Sequence, residues 1–66
     1  MKNYNVVFND YENSNDKGFE LSLEEAKAYV AQYNGTEESY FADYKGGVVQ
    51  IVDNESGDVV HEEEVF

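Results

Sequence analysis

Residues 22–35 have the sequence SLEEAKAYVAQYNG and decide the fold, because no other stretch combines helical periodicity with signals for both helix ends. Ser22 and Glu25 have the spacing of a capping box, in which each side chain bonds the backbone N–H of the other residue. Asn34 and Gly35 form a stop signal, since glycine tolerates the left-handed conformation that ends many helices. The stretch therefore predicts an α-helix of about three turns.

One side of the predicted helix is apolar and needs a surface to cover. Its residues follow the spacing i, i+3, i+7 and i+10, and they are Leu23, Ala26, Val30 and Tyr33. A helix this short is only marginally stable by itself in water, so we expect it to pack on a sheet made by the rest of the chain. Its outer side offers Glu24, Lys27 and Gln32, which are too few for a recognition helix.

The chain before the helix has the pattern of two strands. Residues 3–10 alternate between apolar and polar side chains, and residues 19–22 do so over a shorter length. Residues 11–17 are rich in Asn, Asp and Ser, which favour turns because their side chains bond nearby backbone groups. These features predict an antiparallel hairpin with a long loop.

The chain after the helix has the pattern of three strands, at residues 39–44, 48–53 and 58–65. Glycine-containing turns at 45–47 and 54–57 separate them. Residues 48–53 are apolar on both faces, which is typical of a central strand. Residues 58–65 end in charged side chains, which is typical of an edge strand.

Together these elements predict an α+β fold with the order β-β-α-β-β-β, in which one helix packs on one face of an antiparallel sheet of four to five strands. Residues 1–66 are short enough to form a single small acidic domain. The chain has no cysteine and one histidine, so disulfides are excluded and a structural metal is not expected. Six Tyr and four Phe point instead to an aromatic core, and a homodimer is the alternative to a stable monomer.

A formal net charge of −11 limits the partners of the protein. Direct nucleic-acid binding needs a basic surface, and anionic membranes would repel this chain. No long apolar run and no signal-peptide pattern are present, so we expect a cytoplasmic protein. A basic protein would be attracted, although the acidity could equally serve solubility.

No residue pattern indicates an enzyme, a cofactor or a specific metal site. His61, with Glu63 on the same strand face, is better interpreted as a half-exposed strand residue than as a catalytic base. A calcium loop before Gly18 would place Lys17 at a ligand position, which contradicts the motif. We therefore expect a protein that is not an enzyme.

Ten aromatic side chains are more than one helix can bury, so some should be exposed on the sheet face that the helix leaves open. Exposed aromatics next to carboxylates would suit a basic protein partner. The candidate partner-binding residues are Tyr40, Phe41, Asp43, Tyr44, Glu62, Glu63 and Glu64.

These features predict a non-enzymatic protein-binding domain that acts through an acidic, tyrosine-containing surface. In size, charge and lack of cysteine the chain resembles the small acidic inhibitors of phages and plasmids that mimic nucleic acid, although no motif carries the resemblance. The alternative is a small structural or accessory protein, such as a homodimer, whose acidity serves only solubility.

Overall fold

Four antiparallel strands form one sheet in the computed structural model, which describes residues 3–38 and 40–66. The elements in chain order are β1 (Tyr4–Asn9), β2 (Ser14–Asp16), α1 (Leu23–Tyr33), α2 (Tyr40–Asp43), β3 (Val48–Asp53) and β4 (Val59–Glu64). The strand order across the sheet is β2-β1-β3-β4, and α1 packs on β1 and β3. The predicted α+β class, with one main helix on one face of an antiparallel sheet, is confirmed, and the strands number four.

The pairing of β1 with β3 joins the two ends of the chain at the centre of the sheet. Val6 lies opposite Ile51 and Phe8 lies opposite Val49, and all four side chains are buried under the helices. Because successive strand residues point to opposite faces, every second residue of β1 and β3 enters the core. The predicted central position of residues 48–53 is confirmed, as is the edge position of β4.

Helix α1 begins and ends as the sequence predicts. The Ser22 hydroxyl accepts a hydrogen bond from the Glu25 backbone N–H at 3.1 Å, and the Glu25 carboxylate accepts one from the Ser22 N–H at 3.0 Å. Ala26 and Val30 are its buried residues. Gly35 follows the helix with a φ of 91°, in the left-handed region that favours glycine.

The strand predicted over residues 39–44 is wrong in its described part, because Tyr40–Asp43 is the short helix α2. Ser39, where that strand would begin, lies outside the described residues. The helical turn puts Phe41 and Tyr44 on the same side, three residues apart, where both bury against Phe8. Burial of these rings outweighs the preference of aromatic residues for strands. Residues 45–47 consequently connect α2 to β3 instead of forming a hairpin turn.

The second strand also differs from its prediction, since β2 (Ser14–Asp16) lies inside the segment expected to be a loop. The Asp10 carboxylate accepts hydrogen bonds from the backbone N–H groups of Glu12 at 2.8 Å and Asn13 at 2.6 Å, and this tight turn lets the chain pair at once with β1. Residues 19–22 form no strand, although Leu21 makes an isolated bridge to Tyr4. The hairpin is therefore real but its loop is short.

Phe8 lies at the centre of the core. Its ring makes edge-on contacts with Phe41 and Tyr40, with centroids 4.8 and 5.5 Å away, which is the favoured geometry for aromatic pairs. No polar or charged residue in the described part of the chain is buried. The core consists of Val6, Phe8, Ala26, Val30, Phe41, Tyr44, Val49, Ile51 and Val65.

The last hairpin follows its prediction closely. Residues 54–57 turn the chain, with Gly57 at a φ of 79°, and β4 then pairs with β3. A bulge opposite Ile51 and Val52 makes Val60 an extra residue in β4. Neither described helix has the length and apolar character needed to cross a bilayer.

Candidate protein-binding surface

The side of the sheet that faces away from the helices carries no covering layer of described residues. We call this side the open face, and the pairing register assigns its members because paired residues share a face. They include Val7, Asn9, Ser14, Asp16, Val48, Gln50, Val52, Val59, Glu62 and Glu64.

A chain of side-chain hydrogen bonds crosses the open face over three strands. The Asn9 amide donates to the Gln50 side-chain oxygen at 2.6 Å, and the Gln50 amide donates to a Glu62 carboxylate oxygen at 2.7 Å. Glu62 is exposed to solvent. The chain of bonds holds one oxygen of Glu62 and leaves the carboxylate available at the surface, because an ionised carboxylate accepts several hydrogen bonds.

Lysine is distributed unequally between the two sides of the described structure. Asp16, Glu62 and Glu64 lie on the open face, and all three are exposed. None of the strand residues that make up the described open face is a lysine. The described strand residues of the open face therefore carry negative charge with no lysine among them.

The three lysines in the described ranges all belong to the helical side. The Lys17 ammonium lies 5.0 Å from the centroid of the Tyr40 ring and 5.8 Å from that of Phe19, within reach of a cation–π interaction. Lys45 forms an ion pair with Glu37 at 2.6 Å, and Lys27 is exposed on α1. Lys45 thus offsets one acid of the helical side, and Lys17 lies against aromatic rings there.

Two of the three aromatic members of the predicted binding site are buried, and the third is partly buried. Phe41 is fully buried, Tyr44 is 5% exposed, and Tyr40 is partly buried against Phe8. The Tyr44 hydroxyl also accepts a hydrogen bond from the Asn15 amide. The expectation that Phe41 and Tyr44 are exposed is wrong, because α2 turns both rings inward.

The acidic members of the predicted site are divided between the two sides. Glu62 and Glu64 lie on the open face, whereas Glu63 lies on the helical side, where its carboxylate is 3.4 Å from the His61 ring nitrogen. Asp43 is exposed on α2. The structure therefore brings together Glu62 and Glu64, and it separates Glu63 and Asp43 from them.

Three features of the open face escape the sequence prediction, namely Asp16, Asn9 and Gln50. The register of the four strands places all three on the same face as Glu62, and Gln50 is the one that bonds it. Period-two alternation in β1 could indicate that Asn9 and Val7 share a face, but no local signal pairs Asn9 with Gln50. Among the described residues, two exposed aromatic rings lie near the sheet ends: that of Tyr11 at the tip of the β1–β2 hairpin and that of Phe66 just after β4.

A shallow groove of about 360 Å³ lies at one end of the sheet, between the loop at residues 10–12 and the segment at residues 45–47. Carboxylates and backbone line it, with Lys45 on the far wall. Within residues 3–38 and 40–66, no three His, Asp or Glu side chains come together in a way that could hold a metal ion. The groove is too open to exclude water from a reaction.

Comparisons with protein-family models, with curated proteins and with solved structures found no match to this chain.

Proposed function

We propose that this chain is a non-enzymatic binding protein that recognises a basic protein through its open face. The observation that carries the proposal is the uneven placement of lysine: Asp16, Glu62 and Glu64 lie on the open face, which has no lysine among its described strand residues, and the described lysines lie with the other acids on the helical side. If acidity served solubility alone, charges of both signs would be expected on every surface.

A basic partner would gain from this arrangement in two ways. Complementary charge increases the rate of encounter and disfavours partners of the wrong sign. The valines of the open face, among them Val7 and Val52, are partly exposed between the acids and provide apolar contact area once water is displaced. Tyr11 supplies the tyrosine component of the surface, in place of the buried Tyr44.

A nucleic-acid-binding protein is the partner class that we propose within this function. Glu62 and Glu64 are two residues apart on β4, so their Cα atoms are separated by ~6.8 Å along the strand. Successive phosphates of one DNA strand rise ~3.4 Å along the axis and also wind around it, which roughly doubles their separation in space, so the spacing of the two carboxylates resembles that of neighbouring phosphates. A rigid strand would present them without the loss of entropy that ordering a flexible tail would require.

The proposal is tested with two triple variants that change the net charge equally. The open-face variant is Asp16→Asn, Glu62→Gln and Glu64→Gln, and the matched control is Glu24→Gln, Glu38→Gln and Asp43→Asn on the helical side. Each protein is immobilised and exposed to a cell lysate at about 0.15 M ionic strength, where charges are screened beyond ~8 Å. Captured proteins are identified by mass spectrometry and then challenged with duplex DNA.

We expect a basic protein to be captured by the wild type and the control variant but not by the open-face variant. Displacement of that protein by duplex DNA would support mimicry of nucleic acid. Equal capture by both triple variants would contradict a role for the open face. The absence of any captured basic protein would favour the accessory-protein alternative instead.

A further inference from the structure

We infer that the outer edge of β4 binds a basic β-strand of the partner by extending the sheet. This inference rests on the proposed function, since it takes the partner to be basic, and it specifies how that partner is held. β4 is the last of the described strands in the sheet, so no strand within residues 3–38 and 40–66 lies along its outer edge. Unpaired backbone groups on such an edge are a template for an added strand.

The direction of the backbone groups in β4 follows from Val65. Its N–H donates to the Gly47 carbonyl at 3.0 Å, and its carbonyl accepts from the Gly46 N–H at 2.9 Å, so both groups point toward the segment that enters β3. Backbone groups of alternate residues point in opposite directions in the plane of an antiparallel sheet. Glu64 and Glu62 therefore direct their backbone groups toward the outer edge.

Asn34, just after α1, gives independent evidence of this direction. Its side-chain amide donates to the Glu64 carbonyl at 2.8 Å and accepts from the Phe66 N–H at 3.0 Å. One side chain thus bonds two backbone groups that a neighbouring strand would otherwise bond. Asn34 therefore occupies the C-terminal end of the β4 edge. Along the rest of the edge, no described strand pairs with the N–H of Glu64 or with either backbone group of Glu62.

The side chains along the edge favour a basic occupant. Glu62 and Glu64 project onto the open face, where Lys or Arg on an added strand would lie beside them as favourable cross-strand pairs. Val59 and Val60 at the other end are 48% and 45% exposed and would suit apolar residues. The preferred strand therefore alternates basic with apolar side chains and is more apolar at one end.

A second copy of this chain is a poorer occupant of the edge. Pairing of β4 with itself would bring Glu62, Glu63 and Glu64 of both copies into one ladder, and like charges across strands are destabilising. The high net charge of −11 on each copy adds repulsion over a longer range. Charge thus selects a basic strand over self-association.

The test uses a synthetic peptide of about eight residues that alternates lysine and valine, with the wild-type chain in solution. Two modified peptides carry N-methyl groups on alternate residues, one on the edge that would face β4 and the other on the opposite edge. Both keep the charge and composition of the parent peptide. Titration followed by amide chemical shifts gives the affinity and the binding position.

We expect the parent peptide to shift the amides of residues 59–64 and to slow hydrogen exchange at the amides of Glu62 and Glu64. Methylation on the edge that would face β4 should weaken binding about tenfold, because two or more backbone hydrogen bonds are lost. Methylation on the opposite edge should leave the affinity within about twofold of that of the parent peptide. The variant Glu62→Pro, which removes the outward N–H, should bind more weakly than Glu62→Gln, which removes charge alone.

Equal weakening by both methylated peptides, with shifts spread over Val7, Gln50 and Val52, would overturn the edge inference while leaving the open face as the binding surface. Concentration-dependent dimers that protect the Glu62 amide without peptide would also overturn it, since a second copy would then occupy the edge. No peptide binding, with a basic protein still captured through the open face, would refute the edge alone. Failure of both experiments would refute the proposed function as well.

Discussion

The two sides of the sheet are made from the same strands but differ in nearly every physical property. In β1, Val6 and Phe8 are fully buried under the helices, while Val7 between them is partly exposed on the open face. In β3, Val49 and Ile51 are buried, while Gln50 forms hydrogen bonds to exposed Glu62. One set of residues thus maintains the fold, and the alternate set is free to carry charge and bind a partner.

The largest expected effect comes from comparing two single variants at adjacent residues, Phe8→Ala and Val7→Ala. Phe8→Ala should lower the free energy of unfolding by about 3–5 kcal/mol, because it leaves a cavity among Phe41, Tyr40 and Tyr44. A domain of 66 residues has a total of only about 3–10 kcal/mol, so the variant should lose a large part of its stability. Val7→Ala should cost about 1 kcal/mol or less.

Urea unfolding followed by circular dichroism measures both variants, with the slope of the transition as a check on two-state behaviour. Similar losses at the two positions would mean that the open face is covered in solution. A dimer would be the first explanation to examine, by repeating the measurement at several protein concentrations.

The parts of the fold that follow from local signals could be predicted from the sequence. The capping box of Ser22 and Glu25 and the run at Val48–Asp53 each contain their own start and stop information. Residues 40–44 do not, because a few aromatic residues suit a strand or a helical turn equally well. The helical turn is favoured because it packs Phe41 and Tyr44 against the ring of Phe8, which lies more than thirty residues earlier in the chain.

For the proposed binding surface, the sequence predicts its acidic character but not which residues lie on it. Alternation along β4 separates Glu62 from Glu63, yet the sequence does not say which of them faces the helices. That choice depends on the pairing of Ile51 with His61 and on the bulge at Val60. Similarly, Asp16 lies on the open face because the tight turn at Asp10 lets β2 begin at Ser14. The polar composition of this segment is typical of a loop, so the sequence does not predict this strand.

A second prediction concerns Gly47, which lies just before β3 and close to the backbone of β1. A Cβ added at Gly47 would lie 2.4 Å from the backbone oxygen of Asn9, so Gly47→Ala requires the start of β3 to move away from β1. We expect a loss of about 2–3 kcal/mol and altered amide shifts at Asn9 and Gln50, because their hydrogen bond spans this point.

Gly46→Ala is the matched control for that variant. Gly46 has open space around it but a φ of 90°, so alanine there should cost about 1 kcal/mol of backbone strain without disturbing Asn9. Thermal unfolding and amide spectra of both variants check the difference. If Gly46→Ala were the more harmful change, the close approach of Gly47 to β1 would not hold in solution.

The smallest expected effect concerns charge on the open face. The folded chain holds 15 carboxylates near its surface, and the unfolded chain spaces them farther apart, so repulsion among them is stronger in the folded state. Salt should therefore raise the melting temperature between about 0.01 and 0.15 M, as the screening length falls from ~30 to ~8 Å.

Glu62→Gln separates this repulsion from hydrogen bonding. A glutamine at this position still accepts the hydrogen bond from Gln50 but carries no charge, so the melting temperature at low salt should rise by about 1–2 °C. Glu37→Gln removes the same charge on the helical side, where it also breaks the ion pair with Lys45, and should give no such gain. Calorimetry at low and moderate salt measures both variants. Equal gains would mean that removing a carboxylate relieves the same repulsion on both sides, so that the absence of lysine from the described open face would not leave its acids more strongly repelled.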